Sequence, residues 1–365
     1  MAWLMILIVS LAALALGLCY LTACLGRFGF VQRLSGGRKW PRRLISLALL
    51  AALFALLTLG LSFVNAVVVF LHLTMFFLLC GLAGRIAKRL TGRESSVYWE
   101  GWLALALCVL WLGAGYLLCI HVWEKDYSLR TEKDLGTLKI ALIADSHLGT
   151  TFDGEGFAAQ LRTIEAQEPD LLVIAGDFVD DSSERGDLLR ACEALGEMEL
   201  PYGVWYVSGN HDAGYRRGRD FDGAELERAL TAAGVHVLRD QAEPVDGRFY
   251  VVGREDRSRG GRLSMAELLA GLDRDKYIIV LDHQPNDYEA EAAAGADLVL
   301  SGHSHGGQLI PINYVGQWFG MLDRVYGYER RQGTDFIVTS GISCWEIPFK
   351  TGTRSEYVII TVEGK

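Results

Sequence analysis

Within its first 125 residues the chain carries four apolar stretches, each long enough to cross a bilayer as a helix. They lie at 2–25, 44–63, 66–83 and 101–122. This part, 1–125, therefore reads as a membrane domain, an all-α bundle of four transmembrane helices. The second and third stretches are separated only by a short turn near Asn65, which predicts a tight hairpin. A single bent helix there would hold roughly 40 apolar residues, twice what a bilayer needs.

Basic residues set the expected orientation. Arg27, Arg33, Arg38, Lys39, Arg42 and Arg43 fall between the first and second spans, and Arg85, Lys88, Arg89 and Arg93 between the third and fourth. The positive-inside rule makes both segments cytoplasmic and places the remainder of a multi-pass cell-membrane protein on the extracytoplasmic face. Tyr98, Trp99, Trp123 and Tyr127 sit where an interfacial aromatic belt is expected. His72, inside the third span, is expected to be packed and hydrogen-bonded. Leu21-Thr22-Ala23-Cys24 resembles a lipoprotein cleavage site, but no Lys or Arg precedes it, so the first span is read as retained.

Composition changes sharply near residue 125. Up to Lys125 there are 11 basic and 3 acidic residues, a net +8, whereas the remainder carries −17. An acidic domain over 126–365 is a poor nucleic-acid binder, because phosphate backbones need clustered Lys and Arg. Acidity does not exclude an anionic substrate, since bound metals reverse the local field. Of the seven cysteines, Cys19, Cys24, Cys80, Cys108 and Cys119 lie in apolar runs; Cys192 and Cys344 are isolated. Their spacing suggests no disulfide and no thiolate site, only buried apolar packing.

The acidic part alternates short apolar runs with helical patterns. Runs at 138–144, 171–175, 204–208, 278–281 and 298–301 read as buried strands. Further strands are expected at 235–238, 249–252, 336–340 and 357–362, and helices at 157–166, 188–197, 224–233, 266–272 and 288–294. This is an α/β domain, with sites at the carboxyl ends of its strands.

Those strand ends carry islands that hold five of the eight histidines. They are Asp145-Ser146-His147, Gly176-Asp177-Phe178-Val179-Asp180, Gly209-Asn210-His211-Asp212, Asp282-His283, and Gly302-His303-Ser304-His305. On an extended segment Asp145 and His147 point to one side, as do His303 and His305. Mixed carboxylate, carboxamide and imidazole donors suit a pair of divalent ions better than a lone structural zinc. A single island is about as compatible with an ordinary turn as with a site. The ordered set is not.

The series resembles the calcineurin-like metallophosphoesterases over roughly 138–362, and the run Gly302–Gln308 is similar to their bacterial YkuE-like branch. That resemblance implies a four-layer αββα metallophosphoesterase sandwich. It implies one metal on Asp145, His147, Asp177 and His305, and a second on Asp177, Asn210, His283 and His303. Asp177 and a solvent hydroxide would bridge two divalent ions, manganese, iron or zinc. His211 matches a histidine that protonates the leaving group, Asp180 the carboxylate paired with it, and Asp212 is expected to support the same loop.

One departure narrows the chemistry. Protein phosphatases of this superfamily continue the second island with an Arg-Gly clamp, whereas here Asp181-Ser182 follows Asp180. Phosphodiesters or pyrophosphates, on a lipid-linked, sugar-linked or nucleotide substrate, are therefore expected over phosphoproteins. The alternative is a non-catalytic metal-binding sensor or scaffold on the same fold. Of the residues outside the islands, His121 and His236 read as ordinary surface positions. Arg216-Arg217-Gly218-Arg219 reads as a solvated loop able to steer an anion, and Trp318, Phe319, Tyr326 and Tyr328 read as core ahead of a lipid or sugar site.

Overall fold

The computed structural model describes residues 2–93, 95–215 and 218–365, the side chains of 2–7 excepted. Two compact units divide at Ala114/Gly115. The division falls inside a helix, since the last apolar helix runs on into the second unit.

The first unit contains α1 (Ala2–Leu25), the short α2 (Gly29–Leu34), α3 (Lys39–Gly60), α4 (Phe63–Thr91) and most of α5 (Trp99–Ile120). Four of these helices are long and apolar enough to cross a membrane. The hairpin between α3 and α4 breaks at Leu61–Ser62, a little before the expected turn. Ser62 explains the position: its hydroxyl caps α4 by accepting the Asn65 N–H at 3.1 Å. At 29 residues α4 outruns the expected third span, because Arg85, Lys88 and Arg89 continue the helix past its apolar part. Gly92, in the left-handed conformation, ends it. His72 is buried, with Nδ1 at 2.9 Å from the Val68 carbonyl oxygen.

The second unit holds two six-stranded sheets. The first is formed by β1 (Val122–Arg130), β2 (Thr137–Ile143), β3 (Leu171–Ala175), β4 (Val204–Val207), β5 (His236–Leu238) and β12 (Ser355–Glu363), in the order β1-β12-β2-β3-β4-β5. The second is formed by β6 (Gln241–Val245), β7 (Phe249–Gly253), β8 (Tyr277–Leu281), β9 (Leu298–Ser301), β10 (Gly327–Arg331) and β11 (Thr334–Val338), in the order β10-β11-β9-β8-β7-β6. Helices α6 (Gly154–Glu165), α7 (Arg185–Gly196) and α8 (Gly223–Ala232) cover the first sheet, and α9 (Met265–Leu268) and α10 (Tyr288–Ala293) the second. The short α11 (Val315–Trp318) lies in the long connection before β10.

Three apolar layers hold the sandwich together. Ile143, Leu172, Ile174 and Tyr206 face Phe157, Leu161 and Leu188 on the helical side. Leu138, Ile140, Leu142, Val173 and Val207 face Phe249, Val251, Ile279 and Leu281 between the sheets. Ile278, Val280 and Val299 face Tyr288 and Leu269 on the far side. Alternation along each strand thus sends successive residues to opposite layers, which gives the expected αββα order.

Several elements differ from expectation. β1 is not among the expected strands, because Glu124, Lys125, Asp126 and Ser128 mask its alternation; it pairs in parallel with β12 over nine residues. Tyr127 accordingly packs against the inter-sheet core. Strands β6 and β10 were missed for the same reason: Gln241, Glu243, Glu329, Arg330 and Arg331 give them little apolar signal, and both are edge strands. Cys119 and Cys344, expected to be unpaired, form a disulfide across 225 residues of sequence with their Cα atoms 6.4 Å apart. No spacing rule reveals a bridge closed by the fold itself. Trp318 and Phe319 are not core: they are 71 % and 70 % exposed. Tyr326 and Tyr328 are anchored by their hydroxyls to Glu356 and Asp335 at 2.7 and 2.8 Å.

Candidate metal centre

The five islands converge at the carboxyl ends of β2, β3, β4, β8 and β9, where each chain leaves its sheet. Asp145 and His147 are brought together differently from the extended geometry expected of them. Both are left-handed, at φ 54° and 38°, and so are Asp177 (51°), His303 (70°) and His305 (47°). Residues of this kind carry a backbone cost of about 1–3 kcal/mol each, and they persist where the surroundings over-determine them. Here the surroundings are neighbouring loops: Asp145 N–H donates to the Gly176 carbonyl at 3.0 Å and His147 N–H to the Asp177 carbonyl at 3.1 Å. His303 N–H reaches both oxygens of Asp145, at 3.0 and 2.9 Å.

Three groups of donor atoms result: Asp145, His147 and His305 form the first, Asp177, His283 and His303 the second, and His147, Asp180 and His211 a third. In the first, His147 Nε2 and His305 Nε2 are 3.2 Å apart, and His305 Nε2 lies 3.8 Å from Asp145 Oδ1. In the second, His283 Nε2 lies 3.1 Å from Asp177 Oδ2 and 3.2 Å from Asn210 Oδ1. Asp177 Oδ2 is also 3.9 Å from His147 Nε2, so this carboxylate stands between the first two groups. Gly176 permits the approach: at φ 84°, a Cβ would come 2.6 Å from His283 Nδ1. That nitrogen instead bonds the Ala175 carbonyl at 2.7 Å, which turns Nε2 toward the cluster.

His211 and Asp180 lie alongside. Asp180 Oδ1 is 3.2 Å from His211 Nδ1, and its other oxygen is 3.3 Å from His147 Nδ1, near enough for an ion pair but out of line for a hydrogen bond. The rings of His147 and His211 meet edge to face at 4.9 Å. Asp212, nearly inaccessible, accepts three backbone N–H groups: Asp177 at 2.9 Å, Gly209 at 2.7 Å and Val179 at 3.0 Å. All nine candidate residues, seven ligands and a histidine–carboxylate pair, are thus gathered in one place.

Electrostatics suit cations. Burial pushes the Asp145 carboxyl up to about 6. Burial would raise Asp177 and Asp180 too, but the His283 imidazole holds Asp177 below the carboxylate range, and the His147 and His211 imidazoles beside Asp180 do the same for it. Burial lowers His303 to about 4, so that its ring is a neutral donor. Against burial, Asp180 raises His211 above an ordinary histidine. The buried Nδ1 of His305 has no hydrogen-bond partner among the described residues. Carboxylates, imidazoles and a carboxamide converging in so dry a place fit divalent ions of borderline hardness.

Other residues of the site gave little sign in the sequence. Tyr215 takes a 2.9 Å hydrogen bond from Asn210 Nδ2, turning Asn210 Oδ1 toward His283, and its ring lies 5.1 Å from that of His211. Trp345 covers the His211 ring at 5.4 Å. Behind His283, Asp282 is clamped by the buried Arg254 at 2.9 Å and by Arg262 at 3.0 Å. Arg219 donates to the Asp212 and Phe221 carbonyls, so it braces the loop; Arg216 and Arg217 lie outside the described residues. His236 stacks on Trp205 at 4.0 Å and belongs to none of the donor groups.

The calcineurin-like phosphoesterase profile matches residues 138–307, which include every candidate ligand. An uncharacterized metallophosphoesterase of Aquifex aeolicus is 33 % identical over 256 residues, covering 66 % of this chain and 92 % of that protein. The chain is a calcineurin-like metallophosphoesterase. This metallophosphoesterase is also similar to a transmembrane protein with metallophosphoesterase domain from Danio rerio, at 29 % identity over 65 % of the chain and 56 % of that protein. The Bacillus subtilis metallophosphoesterase YkuE is 26 % identical over 62 % of the chain and 79 % of its own length. The chain spans only 50–60 % of the length of several further relatives. Its family makes it a metal-dependent phosphoesterase with a dinuclear centre, and its four apolar helices suggest a membrane protein.

Proposed function

We propose that this metallophosphoesterase is a membrane-anchored dimetal phosphohydrolase, with a membrane domain over 1–125 and a catalytic domain over 126–365. It cleaves phosphodiester or pyrophosphate bonds on the extracytoplasmic face. The observation that carries the reading is the convergence of seven donor residues on two adjoining groups, with His211 and Asp180 at their edge. Asp145, His147, Asp177 and His305 would hold one ion, and Asp177, Asn210, His283 and His303 the other. Bound ions supply Lewis-acid activation of water and neutralise charge on the phosphoryl oxygens. Manganese, iron and zinc all accept this donor set.

The protein's own part is positioning and proton delivery. Asp180 binds His211 at Nδ1, which leaves Nε2 to hold a proton for the departing oxygen. Asp212 keeps the loops carrying Asp177 and Asn210 in register. Asp181, where a phosphate-clamping arginine is expected in protein phosphatases, instead accepts the Tyr215 N–H at 2.8 Å. That favours esters less charged than phosphoprotein monoesters.

Outward placement is supported by the basic segments and by the Cys119–Cys344 disulfide, a bond that persists in oxidising compartments. The direct test assays the full chain in detergent against lipid, nucleotide and sugar-pyrophosphate phosphodiesters with added Mn²⁺. Turnover of one of these with little action on phosphoserine peptides is expected. Preference for phosphopeptides would overturn the substrate assignment. Reporter fusions after Lys125 test the topology, and a cytoplasmic signal would refute it.

A further inference from the structure

Fifteen consecutive residues, Gln308–Leu322, contain no Asp, Glu, Lys or Arg in a part of the chain that otherwise carries a strong negative charge. They follow the ligand His305 directly. Ile310, Ile312, Tyr314, Trp318, Phe319 and Met321 are all exposed there. A contiguous apolar patch of this kind calls for a partner, and its mixture of Trp, Tyr, Phe and Ile is that of a water–lipid interface.

The surroundings identify the partner. Gln308–Ile310 is laced to the segment before β12: Thr351 N–H donates to the Gln308 carbonyl at 2.8 Å, and Ile310 N–H to Thr351 Oγ1 at 2.9 Å. That segment is in turn fastened to the last turns of α5. Lys350 N–H donates to the Gly115 carbonyl at 2.9 Å, Ser355 Oγ to the Cys119 carbonyl at 2.6 Å, and Cys344 is bonded to Cys119. Gly115 allows the contact, since a Cβ there would lie 2.8 Å from Thr351 Cγ2. Gly115 precedes the end of α5 at Ile120 by only about 7–8 Å of helix rise. Tyr116, Leu117 and Ile120 on that stretch are exposed as well. The uncharged loop is therefore tied, through Lys350 and Thr351, to the last turns of α5.

We infer that residues 308–322 form a second membrane contact of the catalytic unit, a monotopic loop that inserts its aromatic tip into the lipid interface beside α5. A cleft of about 510 Å³ opens behind it, lined by Arg257, Ser258, Gln284 and Asn286 on one side and by Gly320–Asp323 on the other. Gln284 adjoins the ligand His283. The inference rests on the reading of α5 as a membrane span.

The test uses the full chain in nanodiscs of lipids brominated along their acyl chains. A fluorescent amino acid replaces, one at a time, Phe319, Leu117 on α5 and Asp275 on a distant exposed turn. The inference predicts loss of emission at 319 comparable to the loss at 117, and none at 275. Quenching at 117 without quenching at 319 overturns the loop contact and leaves the span intact. Quenching at neither position overturns both. A probe at 319 that is shielded from an aqueous quencher yet untouched by brominated lipid places a protein partner on the patch, and also overturns the inference.

Discussion

The Asp212 carboxylate accepts the backbone N–H of Asp177 at 2.9 Å while also holding Gly209 and Val179. One buried side chain thus aligns the loops that carry the central carboxylate and Asn210. Replacing it with alanine leaves three buried N–H donors unpaired, at about 1–3 kcal/mol each. Asp212→Ala is expected to lower the thermal midpoint in detergent markedly and to weaken metal retention. Asp212→Asn, which keeps one oxygen but turns an NH₂ toward a donor, should fall between. An Asp212→Ala protein melting with the wild type would show that the contacts carry little stability.

His211 and Asp180 offer a way to separate chemistry from metal binding. His211→Ala should keep its metal content and lose about 10²–10⁴ in rate on a phosphodiester, the usual contribution of a general acid. Asp180→Asn should lose less, because the imidazole remains, only less well oriented. Loss of bound metal in His211→Ala would instead make this histidine a ligand.

The disulfide sets a count. Seven cysteines minus one bridge leaves Cys19, Cys24, Cys80, Cys108 and Cys192 as free thiols. Alkylation of the membrane-isolated, denatured chain without reductant should add five labels, and after reduction seven. Seven labels without reductant would remove the compartment argument for an outward-facing domain.

Lys350 gives a pH signature. Its fully buried ammonium donates to the Ser340 carbonyl at 2.6 Å and the Gly341 carbonyl at 3.2 Å, and burial lowers it from 10.5 to about 7. Between these values the unfolded chain holds the proton that the folded chain has released. The unfolded state binds more protons, so this group makes stability rise with pH from about 7 toward 10.5. Lys350→Met should remove that rise. The check is the thermal midpoint of both proteins across that range; parallel pH profiles would contradict it.

How much of this was legible in the sequence depended on whether a residue's role was local. Leu171–Ala175 and Leu298–Ser301 are uninterrupted apolar runs ending in glycine and ligand, so strand and site announced themselves together. By contrast, β1 is a strand because β12 lies beside it, and nothing in Glu124-Lys125-Asp126 says so. Trp345 and Tyr215 reach His211 only through the fold, and Arg254 meets Asp282 across 28 residues of sequence. The left-handed turns at Asp145 and His147 were hidden for the same reason, since they are imposed by hydrogen bonds that these residues donate to the loop after β3.

The most direct test of the dimetal account is a paired measurement on the purified full chain: bound metal per chain by elemental analysis, and turnover of an aryl phosphodiester. The account predicts close to two ions in the wild type. In Asp177→Asn, which alters the carboxylate standing between the two groups, it predicts loss of at least one ion together with most of the activity. Two retained ions with undiminished turnover in Asp177→Asn would contradict it.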